Sequence, residues 1–85
     1  MAYTIIIKPA AERQIRRCGP EVQRRLKPAI DALSADPRPP GCKKLAREED
    51  LYRVRVGDYR IIYAVQDRIL VVEVVKVGHR SWVYS

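Results

Sequence analysis

Five residues near the C-terminal end, Arg53, Arg55, Arg60, Arg80 and Tyr84, recur among apolar neighbours at positions that extended strands can project onto one surface. A guanidinium is permanently charged and binds phosphate through a planar fork of donors, so a cluster of them suits a phosphodiester. His79, the single imidazole, stands beside Arg80, and Trp82 offers a ring on which a base can stack. The absences are as informative. There is no Cys-His pair, no Ser-His-Asp set, no pair of carboxylates in a pocket and no run of ligands at metal-binding spacing, so neither a metal nor a cofactor is expected. Any reaction here must run on guanidinium groups, one phenol and one imidazole.

The charge balance agrees with such a partner. Lys and Arg number 17 against 10 acids, a net charge of +7, which is the electrostatic footprint of a chain that meets nucleic acid or another polyanion. Eleven of the basic residues precede position 51 and six follow it, so the excess is not confined to a tail. With 47% apolar residues the chain folds, and its 85 residues form one domain, 1–85, small enough that a bound partner adds usefully to its stability. Cys18 falls on an apolar stripe and Cys42 in a Pro/Gly loop; neither has a partner at ligand spacing, which points to a reducing cytosol without disulfides. The longest apolar run, Ile69 to Val75, is interrupted by Glu73 and is far too short for a membrane span.

These side chains need elements to position them. Tyr3 to Ile7 is rich in β-branched and aromatic residues and reads as a short strand ending at Lys8-Pro9. Pro9 opens a helix whose stripe is Ala11, Ile15 and Cys18, with Gly19 as its cap. Pro20 opens a second, with Val22, Leu26, Ala29, Ile30 and Leu33 on one side and its end near Ser34 to Pro37; Pro28 predicts a kink or break near Lys27. Residues from Lys43 to Asp50 read as a polar connector.

From Leu51 the apolar period becomes two. Tyr52, Val54 and Val56 alternate with Arg53 and Arg55, Gly57-Asp58 turns the chain, and Tyr59, Ile61, Tyr63 and Val65 alternate on the return. After Asp67-Arg68, Ile69 to Val77 forms a third strand, with Ile69, Val71, Val75 and Val77 on one face and Leu70, Val72 and Val74 on the other. The expected fold is α+β, in the order β-α-α-β-β-β, with an antiparallel sheet packed on the two N-terminal helices through one face. Tyr59 and Tyr63 then belong to the core, and Arg53 and Arg55 to the face away from the helices, part of which a partner or the chain's own C-terminal segment covers.

That order, the stretch Tyr52-Arg53-Val54-Arg55 with Gly57-Asp58-Tyr59-Arg60-Ile61-Ile62-Tyr63, and the ending Val77-Gly78-His79-Arg80 with Val83-Tyr84 resemble the RelE toxins of the RelE/ParE superfamily over nearly the whole chain. The resemblance implies a toxin of a type II toxin–antitoxin pair, a ribosome-dependent endoribonuclease that cuts mRNA in the A site without a metal. It acts there by attack of the ribose 2′-OH. It implies as partners the ribosome, mRNA and a cognate antitoxin, acidic and covering part of the sheet. It assigns Arg53 and Arg55 to the two basic positions of the first meander strand, and Arg60, Arg80 and Tyr84 to the remaining site positions. This chain departs from the best-studied type in carrying arginines where that type has lysines at 53 and 55, and in a shorter separation of Arg80 from Tyr84.

RNA cleavage needs a proton taken from the 2′-OH, charge stabilised on the phosphorane oxygens, and a proton given to the leaving 5′-oxygen. Arg53, Arg55 and Arg60 suit the second task. An arginine cannot be the base, so Tyr84 and His79 both stand as candidates for it, Tyr84 with its pKa lowered by Arg55 or Arg80. Structural roles compete: Arg60 as a partner of Asp58 or Glu73, His79 as a loop cap, and Trp82 as a clamp for the C-terminal end. Two other functions fit the same resemblance and charge, a ParE-type DNA gyrase inhibitor with no catalytic site and a non-catalytic RNA-binding module.

Overall fold

The computed structural model describes residues 2–45 and 50–81; Trp82, Tyr84 and the middle of the Lys43 to Asp50 connector lie outside the described residues. Strand β1 (Thr4–Ile7) is followed by helices α1 (Pro9–Arg17) and α2 (Pro20–Ala32). Strands β2 (Lys43–Lys44), β3 (Leu51–Val56), β4 (Tyr59–Gln66) and β5 (Val71–His79) complete one five-stranded sheet in the order β1-β5-β4-β3-β2. All neighbours are antiparallel except β1, which pairs in parallel with β5. The α+β architecture is the one expected, with β2 added: Lys43 and Lys44 pair with Arg53 and Tyr52 at the edge of the sheet. Two lysines carry no apolar alternation, which is why the connector concealed a strand.

The helices cover one face. Ala11, Leu26, Ile30 and Leu33 meet Val54, Ile61, Tyr63, Val65, Val72, Val74 and Val77 in a single core, and Ile5 and Ile7 pack against it. The stripes read from the sequence therefore do face the sheet, and Tyr59 and Tyr63 are on the helix side. Cys18 packs at the margin of this core, and burial pushes its thiol pKa up.

Four local expectations give way to specific geometry. Gly19 has φ −64° and is the N-cap of α2; α1 instead ends at Cys18 in extended backbone, so no left-handed cap is needed. Helix α2 runs unbroken through Pro28, which lies on its exposed side, and ends at Ala32 rather than near Ser34. Strand β5 starts at Val71 rather than Ile69, because Leu70 adopts φ +54° in the turn and Ile69, 65% exposed, stays outside the sheet.

The fourth correction is a β-bulge. Ile62 pairs with Lys76 and Tyr63 with Val74, which leaves Val75 without a partner on β4. Strict alternation would separate Val74 from Val77, yet both are fully buried in the core. The extra residue reverses the facing of everything after it. Gly78 thereby joins the face away from the helices, and His79 the face toward them.

Candidate functional site

The β3–β4 hairpin fixes the first two arginines. Gly57 has φ +60° while Asp58 does not have positive φ, the pattern of a two-residue type II′ turn, whose twist matches that of the strands. This turn sets Val56 opposite Tyr59 and therefore Arg55 directly opposite Arg60, on the sheet face away from the helices. Two like charges facing each other across a strand pair repel, at a cost of a few tenths of a kcal/mol or more, and an anion between them reverses the sign. On the other flank of Arg60 stands Gly78, which has no side chain to crowd the guanidinium.

Arg53, two residues before Arg55, shares this face, as its pairing with Ile62 and Lys43 requires. It is only 5% exposed, whereas Arg55 is open to solvent, and Ile62 beside it is 8% exposed. The face away from the helices is thus partly covered within this chain. Lys43 and Lys76 add exposed cations to it, a contribution that the sequence did not signal because each sits outside the arginine alternation. Positive charge accumulates on the hairpin half of the face, while Glu73 lies at the level of Ala64 and Ile6 in the other half.

Arg80 reaches the same end by a different route. Its backbone N–H donates to the carbonyl oxygen of Asp58 at 2.8 Å, and its Nε lies 3.8 Å from Asp58 Oδ1. Both side chains are exposed, so the ion pair is worth ~0–1 kcal/mol and serves mainly to orient the guanidinium over the turn. Asp58, one of the two carboxylates proposed as a partner of Arg60, is therefore used by Arg80. The structure brings Arg55, Arg60 and Arg80 to one end of the sheet around one turn.

His79 is set apart from them. It pairs with Tyr59 on the helix side, the two rings meeting edge to face at 5.5 Å and 84°. Its Nδ1 accepts the backbone N–H of Ser81 at 3.2 Å and lies 2.9 Å from Ser81 Oγ. Accepting at Nδ1 leaves the proton of the neutral ring on Nε2.

The opposite end of the sheet carries a second polar cluster. Arg38 donates from Nη2 to Asp67 Oδ2 at 2.8 Å and from Nη1 to Oδ1 at 3.2 Å, and its Nε donates to the Tyr52 hydroxyl at 3.0 Å. Tyr3 donates to the same Asp67 at 2.7 Å. Hydrogen bonds from Arg38 and Tyr3 hold the Asp67 carboxyl below the usual carboxylate range, and the bond to Asp67 raises the Tyr3 phenol. Tyr63 is buried beneath, donating to the Pro37 carbonyl at 2.8 Å, with its pKa raised by loss of solvent. This cluster ties the loop after α2 to the residue before β1, to β3 and to the β4–β5 turn.

Among the described residues no three His, Cys, Asp or Glu side chains gather as a metal site, and no helix is long and apolar enough to cross a membrane. Comparison with known proteins places the fold. Residues 5–84 match the family described as ParE toxin of type II toxin-antitoxin system, parDE, and the chain belongs to that family, within the RelE/ParE toxin superfamily. The mRNA interferase toxin RelE of Escherichia coli is 34% identical over 89 residues, an overlap of 100% of this chain and 93% of that protein. In the RelE-RelB complex of Pyrococcus horikoshii, the matching chain superposes with a TM-score of 0.84 at 30% identity, covering 96% of this chain and 99% of that one. The toxin-antitoxin complex RelBE2 of Mycobacterium tuberculosis gives 0.84 at 26% identity, with 95% and 94% covered.

Proposed function

We propose that this toxin is a metal-independent endoribonuclease that cuts mRNA in the ribosomal A site, in the cytoplasm, and that an acidic cognate antitoxin restrains it by covering part of the sheet. The observation that carries the reading is the cross-strand pair Arg55 and Arg60, with Gly78 beside it and Arg80 tied across the same turn. Three guanidinium groups at one end of a sheet face suit a phosphate whose negative charge grows on the way to a phosphorane.

The reaction balances without an outside reagent. A base removes the proton of the 2′-OH, the 2′-oxygen forms a bond to phosphorus, the bond from phosphorus to the 5′-oxygen breaks, and a proton passes to that oxygen. A 2′,3′-cyclic phosphate and a 5′-hydroxyl remain. Arg55, Arg60 and Arg80 stabilise the equatorial oxygens. His79, turned toward Tyr59 on the helix side, braces the strand end, so the base in this reading is Tyr84, which arginines at the hairpin end would shift toward ionisation. Arg53, nearly excluded from solvent, contributes charge from beneath the surface, and Trp82 supplies a stacking surface for a base.

The matched family is named for ParE, and the second reading is a gyrase-binding toxin with no chemistry. Mapping RNA 5′ ends during translation in the presence of the purified toxin separates the two. New ends within codons at the A site support cleavage. Intact mRNA together with loss of gyrase supercoiling supports the second reading.

A further inference from the structure

We propose that Arg25, on α2, is a phosphate ligand that holds a nucleotide neighbouring the scissile one as RNA passes over the β3–β4 turn. The proposal rests on the RNA-cleaving reading above and extends its site to a residue on another element. Arg25 lies on the exposed side of α2, yet its guanidinium is seated against the hairpin turn: a Cβ at position 57 would fall 2.6 Å from its Nη2 and 3.2 Å from its Cζ and Nη1. The seat exists because residue 57 is glycine, which the turn also requires for its φ of +60°.

Arg25 has charge to spare. Asp58, the acid of this turn, is engaged by Arg80, and among the described residues Arg25 has no ion pair within 4 Å. An exposed arginine usually samples many rotamers and loses that freedom on taking a ligand; one already resting on a turn loses less. Its position completes a path. Arg55 and Arg60 stand on the outer face just before and after the turn, Arg80 lies across it, and Arg25 approaches the same turn from the helix side. A single strand carries a charge at every nucleotide, so a backbone leaving the arginine face over the turn meets Arg25 next.

The test is binding of the full-length chain to a labelled single-stranded RNA of mixed sequence, measured by fluorescence anisotropy across a salt series. Replacing Arg25→Gln is expected to weaken binding ~5-fold at low salt and to flatten the plot of log affinity against log salt by ~0.7, the loss of one phosphate contact. Arg25→Lys is expected to restore most of that slope, because it returns a point charge. Arg13→Gln, on the exposed side of α1, should leave the slope unchanged. An Arg25→Gln slope equal to the wild type, or a wild type whose RNA binding ignores salt, overturns the proposal. A purely structural brace would lower the melting temperature of Arg25→Gln without moving the slope, and that result also rejects it. Failure of the cleavage reading is separate, since it shows as intact mRNA with the wild-type toxin.

Discussion

The backbone N–H of Val77 donates to Gln14 Oε1 at 2.8 Å, joining α1 to the strand that ends at the proposed active site. β1 reaches only to the level of Val74 on β5, so past the bulge a side chain from the helix takes the place of a neighbouring strand. Val77 is fully buried, and its N–H has no access to water. Gln14 thereby fixes the strand end that supplies Gly78, His79 and Arg80.

Removing that acceptor leaves a buried donor unsatisfied. Gln14→Leu is expected to destabilise the fold by ~1–3 kcal/mol in urea unfolding, while Gln14→Glu, which keeps an acceptor oxygen, retains most of the stability. Equal stability of Gln14→Leu and wild type would mean that the N–H finds another acceptor.

The far cluster makes a prediction about pH. Asp67 has a folded-state pKa depressed by hydrogen bonds from Arg38 and Tyr3, so its contribution is fully present above the ordinary aspartate pKa of ~3.9 and is lost as pH falls through the lower folded value. Asp67→Asn should reduce the loss of melting temperature on acidification through that window and leave the difference between pH 6 and 8 unchanged. An identical acid limb in the variant contradicts this assignment.

Charge position, rather than amount, should govern activity. Arg55→Ala and Arg13→Ala each remove one positive charge, but only Arg55 faces Arg60 on the proposed surface. We expect the first to cost at least ~10-fold in cleavage of translated mRNA and the second to be nearly silent. Equal losses would reduce the site to bulk electrostatics.

Arg80→Ala and Tyr84→Ala are expected to abolish growth arrest while the variants still fold and bind antitoxin, checked by circular dichroism and co-purification. Full toxicity of either variant removes that residue from the mechanism.

Much of this was legible in the sequence. Period-two alternation placed Val54, Ile61 and Tyr63 in the core and Arg55 and Arg60 outside it, because side chains opposite one another across a hairpin share a face and Gly57-Asp58 fixes the register. The bulge at Val75 was not legible, since every residue from Val74 to Val77 except Lys76 is a valine and the run permits either facing. That single inserted residue decides that Gly78 rather than His79 joins the arginines. Arg25 and Gln14 were hidden for another reason: each acts across 32 or more positions of sequence, on a turn and a strand that their own helical periodicity does not mention.

In the proposed reaction Arg60, paired with Arg55 across the strands, stabilises the charge that develops on the scissile phosphate. The direct measurement is the single-turnover rate of cleavage of mRNA held in the ribosomal A site, at saturating toxin, for the wild type and Arg60→Ala. We expect a fall of about 10²–10³-fold with little change in half-saturation, the size seen when one charge-stabilising donor is removed from a preorganised site. An Arg60→Ala toxin that cuts at the wild-type rate contradicts that role.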